Sequence, residues 1–220
     1  MHVMIINGSP RLRQYSNTEK IIDAFVEGLA KAGASFEKYA ISERSSWEEI
    51  RDAYLRNDEI IFAMPLYVEN VPGLLLEFLE TLPIKDQNTR VSFILQGGFA
   101  EASQLRCGET FLKTLPEYLG VRYGGTLIKG DNFGLRLMDP EDRAAKRITD
   151  PFKQMGTAFA EDDGFRAEKI RKVSGPEYLS PAMRLMYALI FKTLAKKSSN
   201  AAAAEWGCTV PLDDRPWENS

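Results

Sequence analysis

Short apolar runs alternate with amphipathic stretches up to about residue 163 of the chain. Four of the runs are predominantly apolar, which is typical of strands buried on both faces of a parallel sheet. They lie at residues 3–6, 59–64, 91–95 and 126–129, and a weakly alternating run at 36–41 predicts an edge strand. Apolar residues at helical spacing follow the runs, which predicts a repeated strand–helix unit.

This pattern predicts an α/β fold with an open, doubly wound parallel sheet. Five strands in the order 2-1-3-4-5 are the most economical arrangement, and this order places a ligand crevice at the carboxyl ends of strands one and three. Within the predicted helices, Pro116 indicates a kink or an early end, and Pro151 indicates a break or a bend. Pro140, directly after Asp139, fits the first position of the helix that runs to about Phe159.

The alternation of strand and helix stops at Gly164. We therefore expect a domain over residues 1–163 and a helical C-terminal extension over residues 164–220. Residues 178–197 carry an apolar face at helical spacing, and such a face must be buried against a partner. The domain itself is the favoured partner, a second subunit comes next, and a membrane surface is the least favoured.

The composition excludes several classes of function. A formal net charge of −3 provides no basic surface for nucleic acid. The two cysteines, Cys107 and Cys208, are far apart, and His2 is the only histidine, which leaves little material for a disulfide scaffold, a zinc site or imidazole catalysis. The sequence contains no recognisable signal peptide and no stretch long enough to span a bilayer. We expect a cytoplasmic protein without stable membrane insertion, whose chemistry, if it is an enzyme, is carried by a cofactor.

The loop after the first strand carries most of the candidate chemistry. It reads NGSPRLRQYSN over residues 7–17, and Ser16 to Glu19 has the spacing of a capping box, so a helix is expected to start there. The free N–H groups of a helix start attract anions, most often phosphate. Additional ligands for that anion are the hydroxyls and the guanidinium of Ser9, Ser16, Thr18 and Arg11. An ordinary strand–helix turn with polar side chains is the alternative.

Two further loops follow the next strands of the predicted sheet. The loop at 65–73 is too long for a minimal turn and too apolar for an idle surface loop. Neither a Walker loop nor a G-x-G-x-x-G turn is present, which leaves a mononucleotide as the ligand. Tyr67 and Phe99 can flank its flat ring, with backbone N–H groups at 66–69 and 97–98 along the polar edge. Alternatively, Tyr67 packs onto the core of the domain, and Gly97 and Gly98 are present only because the turn requires glycine.

The motif G-S-P-R-x4-S-N-T after the first strand resembles that of the flavodoxin-like NAD(P)H-dependent FMN reductases, a family that includes NAD(P)H–quinone oxidoreductases. The stretch F-A-M-P-L-Y-V-x3-P-G at 62–73 is similar to the second FMN loop of this family, and Gly97-Gly98 to the third. The resemblance covers about the first 130 residues and implies a flavodoxin-like fold. The sequence Asp214-Arg215-Pro216-Trp217 is also similar to the D-R-P-Y ending of one subgroup.

The resemblance implies a set of FMN-binding residues. The phosphate ligands of the family correspond to Ser9, Arg11, Ser16, Asn17 and Thr18. The contacts of the isoalloxazine ring correspond to Pro65, Leu66, Tyr67, Val68, Gly97, Gly98 and Phe99. No side chain is assigned as catalytic, because the flavin carries the chemistry. Iron–sulfur members of the family hold a cluster with cysteines between the second strand and the second helix, and segment 41–47 has no cysteine, so no metal site is expected.

The function implied is that of an FMN-dependent NAD(P)H oxidoreductase. It would take hydride from NADPH or NADH and pass electrons to a quinone, a flavin or a similar small acceptor, and family members commonly form homodimers. The alternatives are a flavodoxin-like FMN electron carrier that serves protein partners, and a flavin-binding scaffold or regulatory protein. Outside the motifs, Cys107 is interpreted as a buried filler of a helix rather than a redox thiol. Arg106 and Lys129 are interpreted as ordinary solvated charges, and the alternative is that one of them assists in stabilising the reduced, anionic flavin.

Overall fold

The computed structural model describes residues 1–215 and contains a five-stranded parallel sheet. The strands are β1 (His2–Asn7), β2 (Ser35–Ala40), β3 (Glu59–Pro65), β4 (Arg90–Gln96) and β5 (Arg122–Lys129). Their order is β2-β1-β3-β4-β5, and every neighbouring pair is parallel. The predicted fold class and strand order are therefore confirmed.

Helices cover both faces of this sheet. The bounds are α1 (Asn17–Lys31), α2 (Trp47–Arg56), α3 (Gly73–Glu80), α4 (Arg106–Leu119), α5 (Arg143–Glu161) and α6 (Ala167–Val173). One core cluster joins α1 and α5 to the sheet, and a second joins α2, α3 and α4 to the opposite face. This two-layer burial explains why the strands are apolar on both faces.

Three polar side chains end their strands on the side of the sheet that α1 and α5 cover. Ile5, Ile94 and Leu127 belong to the core of that side, and side chains alternate between the two faces of a strand. Two positions further along, Asn7, Gln96 and Lys129 therefore occupy the same side at the carboxyl edge, where Gln96 and Lys129 are direct partners in the β4–β5 register. The carboxyl edge below the start of α1 is polar.

Prolines affect the helices less than the sequence suggested. Pro116 and Pro151 lie inside α4 and α5, and both helices continue beyond them. A proline removes one backbone hydrogen bond of a helix, and the burial of the apolar face outweighs this loss here. The expected start of α5 at Pro140 is wrong: Asp139 Oδ1 accepts from the N–H of Glu141 at 2.9 Å in a separate turn, and the helix begins at Arg143.

Helices α1 and α5 cross at two glycines. A Cβ atom on Gly28 would lie 1.9 Å from the carbonyl oxygen of Lys153, and one on Gly156 would lie 2.0 Å from that of Phe25. Thr157 Oγ1 also donates to the carbonyl oxygen of Gly28 at 3.1 Å. The backbones of the two helices are therefore in direct contact, which fixes the height of α1 above the sheet.

The chain divides into two compact units, Met1–Tyr178 and Leu179–Ser220. The second contains α7 (Pro181–Ile190), a π-helical turn over Phe191–Ala195 and α8 (Lys196–Glu205). Within it, Ser180 caps α7 by accepting from the N–H of Met183, and Lys196 pairs with Asp213 at 2.6 Å.

The domain boundary expected between residues 163 and 164 and the partner expected for the apolar face of residues 178–197 stay predictions. Among the described residues no helix is long and apolar enough to cross a membrane. Pro216 and Trp217 of the D-R-P-W similarity lie outside the described part of the chain.

We predict that Gly156→Ala destabilises the protein by about 2 kcal/mol or more, because a methyl group would force the two helix backbones apart. Alanine is otherwise the better helix former by about 1 kcal/mol. Helix propensity therefore cannot explain a loss of stability, which would have to come from the close contact between α1 and α5. Urea denaturation followed by circular dichroism measures it. The control is Gly73→Ala, which adds a methyl group at a position with no atom within 4 Å. Equal stability of Gly156→Ala and the wild type would contradict the prediction.

Candidate active site

The loop between β1 and α1 is shaped by two side-chain-capped turns. The N–H of Ser9 donates to Asn7 Oδ1 at 2.9 Å, and the N–H of Arg11 donates to Ser9 Oγ at 3.3 Å. The N–H of Gly8 donates to the carbonyl oxygen of Ala63 on β3 at 2.7 Å. The polar residues that break the strand in the sequence therefore supply the hydrogen bonds that form the loop.

Helix α1 starts where the sequence predicted. Ser16 is its N-cap, and Ser16 Oγ accepts from the N–H of Glu19 at 3.3 Å. The carboxylate of Glu19 accepts instead from Asn7 Nδ2 at 2.7 Å and pairs with Lys38 at 3.3 Å. Only half of the expected capping box is formed, because the second half is used to attach the helix to the end of β1.

A group of buried hydrogen-bond donors surrounds this helix start. The side chains of Ser9, Ser16 and Thr18 belong to residues that are 2%, 2% and 1% exposed. Each hydroxyl accepts one hydrogen bond, and none donates its own hydrogen to a described acceptor. The backbone N–H groups of Asn17 and Thr18 also have no acceptor among residues 1–215, since helix geometry offers none to the first turn. Buried donors of this kind favour an anion.

Arg11 lies in the same loop and is exposed. Within the described residues its guanidinium makes no hydrogen bond and no ion pair, whereas Arg13 lies 3.6 Å from Glu19 and 3.4 Å from Glu43. Arg11 is thus the arginine of this loop whose charge is available to a ligand.

The second loop uses several of its backbone N–H groups internally. The N–H of Leu66 donates to the carbonyl oxygen of Gln96 at 2.8 Å, and the N–H of Tyr67 donates to that of Asn70 at 2.8 Å. The edge contacts expected from residues 66–69 are therefore reduced to the N–H groups of Val68 and Glu69, which donate to no described group.

The tip of this loop is strained. Val68 and Glu69 have φ values of +47° and +70°, a region that a β-branched residue such as valine rarely adopts. The two residues form a tight reversal closed by Tyr67 and Asn70. Val68 is almost completely exposed, Tyr67 is half-exposed and Pro65 is buried. Strained backbone conformations of this kind are often found in functional loops.

The third loop is held by the segment that follows β5. The N–H of Gly97 donates to the carbonyl oxygen of Lys129 at 3.2 Å, and the N–H of Asp131 donates to that of Phe99 at 2.9 Å. A Cβ atom on Gly130 would lie 1.9 Å from the carbonyl oxygen of Phe99. The N–H groups of Gly98 and Phe99 have no described acceptor, and the ring of Phe99 is 74% exposed.

Two residues that sequence reasoning missed connect the loops. Gln96 Nε2 donates to Thr18 Oγ1 at 3.3 Å, which ties the end of β4 to the start of α1. Asn132, which is 0% exposed, accepts from Asn17 Nδ2 at 2.8 Å through its carbonyl oxygen. A glutamine at the end of an apolar strand is a signal that could have pointed to Gln96. No local signal marks Asn132 as a link between the loops, because two of its partners, Asn17 and Gly97, are distant in sequence.

Lys129 and Arg106 are not the ordinary solvated charges that the sequence suggested. Lys129 is half-buried, and burial lowers the pKa of its ammonium group while the charge of Asp131 opposes this in part. Arg106 is engaged by Glu177 at 2.7 Å and Glu109 at 2.6 Å, and these hydrogen bonds raise its pKa. Lys129 has no ion pair with any described residue, so it is not an ordinary solvated charge.

Cys107 is exposed, which corrects its interpretation as a buried filler. It lies in the first turn of α4 and is not among the buried residues of that helix. The other cysteine, Cys208, is exposed as well.

We predict that Lys129→Met stabilises the ligand-free protein at neutral pH, because a buried unpaired charge is removed. The pKa of Lys129 is lower in the folded than in the unfolded chain, so the unfolded chain binds more protons between this lowered value and 10.5. The free energy of unfolding of the wild type should therefore rise with pH in that alkaline window, and this contribution should be absent from the variant. Urea titrations at several pH values measure it, with the exposed Lys31→Met as control. A pH dependence that is the same in wild type and Lys129→Met would contradict the prediction.

Comparison with known proteins agrees with this architecture. Residues 1–85 match the model of the flavodoxin-like fold family. No protein of curated function matches the chain.

Three solved structures illustrate the similarity of fold. An FMN-dependent NADH-azoreductase from Bacillus anthracis, in complex with FMN, is 14% identical, with a TM-score of 0.53 over 73% of this chain and 100% of its own. The NAD(P)H:quinone oxidoreductase from Methanothermobacter marburgensis is 16% identical, with a TM-score of 0.54 over 76% and 98%. The NADH:FMN oxidoreductase EMOB, in its apo form, is 18% identical, with a TM-score of 0.55 over 83% and 98%. The resemblance drawn from the motifs is thus confirmed at the level of fold, and the chain has a flavodoxin-like fold.

Proposed function

We propose that the protein is an FMN-dependent NAD(P)H oxidoreductase. The single observation that carries the proposal is the set of three buried hydroxyls and two free backbone N–H groups at the start of α1. The structural neighbours named above provide the reaction class, because all three are described as NADH- or NAD(P)H-dependent oxidoreductases.

The phosphate end of FMN fits the β1–α1 loop. The hydroxyls of Ser9, Ser16 and Thr18 and the N–H groups of Asn17 and Thr18 can donate to phosphate oxygens, and the guanidinium of Arg11 can supply a balancing charge. Buried donors without acceptors are costly in a ligand-free protein, so their concentration at one helix start supports an anionic ligand.

The ring end of FMN fits the second and third loops. Tyr67 and Phe99 provide exposed aromatic surface, and Pro65 and Leu66 provide apolar contact. The N–H groups of residues 68–69 and 98–99 have no described acceptor and would donate to the polar edge of the ring. Val68, Gly97 and Gly98 would supply backbone contacts. The strained reversal at Val68 and Glu69 would keep the second loop in position beside the ring.

When bound, FMN would supply the redox chemistry, which is hydride transfer from a reduced nicotinamide to a small acceptor. The residues of the three loops would bind and orient the flavin. No side-chain acid is required at the loops, and Glu19, the nearest carboxylate to the phosphate donors in sequence, is paired with Lys38. The proposal extends to a quinone, a flavin or a similar small molecule as acceptor, to a homodimer and to a cytoplasmic location.

Anaerobic mixing of the purified, FMN-loaded protein with NADPH or NADH tests the proposal. Rapid loss of the flavin absorbance near 450 nm, followed by its return when a quinone is added, would support an oxidoreductase. A preparation that binds FMN but is not reduced by either nicotinamide would instead identify an electron carrier or a flavin-binding scaffold. A colourless protein that does not bind added FMN would refute the proposal.

We predict that Ser9→Ala and Arg11→Ala each weaken FMN binding by about 1.5–3 kcal/mol, the range for one hydrogen bond to a charged group. Fluorescence titration of the apoprotein with FMN measures the dissociation constant. The matched control is Arg147→Ala, which removes an exposed arginine from α5. If both loop variants bind FMN as tightly as this control, the phosphate lies elsewhere.

A further inference from the structure

Two asparagine side chains next to the phosphate donors each have one unused hydrogen-bonding atom. Asn17 Nδ2 donates to the carbonyl oxygen of Asn132 at 2.8 Å, and Asn132 Nδ2 donates to the carbonyl oxygen of Lys129 at 2.8 Å. The remaining oxygens, Asn17 Oδ1 and Asn132 Oδ1, are buried and accept no hydrogen bond from any described residue.

The orientation of both amide groups is determined by their partners. A backbone carbonyl oxygen can only accept, so the atom that faces it must be the NH₂ group of the asparagine. Both unused atoms are therefore oxygens, and each can only accept a hydrogen bond. Two buried acceptors without donors, connected by a hydrogen bond between their residues, are unusual in a folded protein.

These oxygens are unsuited to a phosphate. A phosphate group is itself an acceptor and carries negative charge, so an amide oxygen repels it. The side-chain amide of Asn17 uses one of its two N–H groups on the carbonyl oxygen of Asn132, and its unused oxygen cannot bind the phosphate, whereas its free backbone N–H can. The ligand part that lies against the two amide oxygens must instead carry hydrogen-bond donors.

The surrounding contacts connect these acceptors to both ends of the proposed flavin site. Asn17 is adjacent to Thr18, whose hydroxyl accepts from Gln96, and Gln96 is paired with Lys129 in the sheet register. The N–H of Asn132 donates to the carbonyl oxygen of Gly97 in the third loop at 3.1 Å. The acceptors thus belong to a ring of contacts between the phosphate loop and the ring loops, where the chain that joins phosphate and isoalloxazine must run.

We propose that Asn132, together with Asn17, accepts hydrogen bonds from the hydroxyl groups of the sugar-alcohol chain of FMN. This inference depends on the proposed function. It adds a binding residue from the segment after β5, and it assigns the side chain of Asn17 to the hydroxyl chain rather than to the phosphate. The site would then select a flavin with a hydroxylated chain over one with a plain alkyl chain.

Titration of the apoprotein with two ligands tests the proposal. The first is FMN, and the second is an analogue in which a five-carbon alkyl chain without hydroxyls joins the same ring and phosphate. We expect the wild type to bind FMN about tenfold more tightly than the analogue. Asn132→Ala and Asn17→Ala should each weaken FMN binding several-fold to tenfold and change the affinity for the analogue by less than twofold.

The control is Asn57→Ala, which removes a buried asparagine that also donates to a carbonyl oxygen, that of Ala53 at 2.9 Å, at the opposite end of β3. It should affect neither ligand. Equal weakening of both ligands by Asn132→Ala and Asn17→Ala, or equal affinity of the wild type for both, would overturn the inference while FMN binding itself persists. The comparison of the two ligands on the wild type needs no variant, so it can overturn the inference even if Asn132→Ala does not fold, and Asn17→Ala then tests the assignment to a residue. A wild type that binds neither flavin would instead refute the proposed function.

Discussion

The candidate site depends on how the first turn of α1 is attached to the carboxyl edge of the sheet. Two hydrogen bonds make this attachment, one from Asn7 to the carboxylate of Glu19 and one from Gln96 to the hydroxyl of Thr18. All four residues are buried, so loss of either partner would leave a polar atom without a substitute from water. The helix start is therefore held over β1 and β4 at a defined position. The loop of residues 8–16 is closed at both ends by the same attachment.

This attachment brings a carboxylate close to a proposed anion site, and the surrounding charges resolve the conflict. Glu19 lies in the first turn of α1, where a negative charge favours the helix but would repel a phosphate. Lys38 pairs with Glu19 and with Asp23. Burial lowers the pKa of Lys38, but the hydrogen bonds and charges of the two carboxylates outweigh burial and raise it overall. The charge of Glu19 is thus balanced on the β2 side of the helix, and the free N–H groups of the first turn are left to a ligand.

The sequence predicted those parts of the structure that depend on neighbouring residues. Apolar runs determine the strands because both faces of the sheet are covered, and Ser16 starts α1 because its hydroxyl caps the third N–H of the helix. Asn132 could not be predicted, because its bonds with Asn17 on α1 and with Gly97 in the loop after β4 join segments that are distant in sequence. The start of α5 was misplaced because the turn at Asp139 uses the same residue types as a helix cap. Cys107 was misjudged because its exposure depends on how α4 is rotated against the sheet.

The two ends of the candidate site differ in how firmly they are built. At the β1–α1 end, the hydroxyl groups of Ser9, Ser16 and Thr18 are buried and each accepts a hydrogen bond, so little of their conformational freedom is left to lose on binding. At the other end, Tyr67, Val68 and Phe99 are exposed, and the reversal at Val68 and Glu69 is strained. Exposed aromatic surface costs free energy in water, and a flat ring that covered the loops would bury it. The rigid end would therefore contribute most of the affinity for a flavin. The exposed end would determine which second molecule can approach the ring, since its side chains are free to adapt.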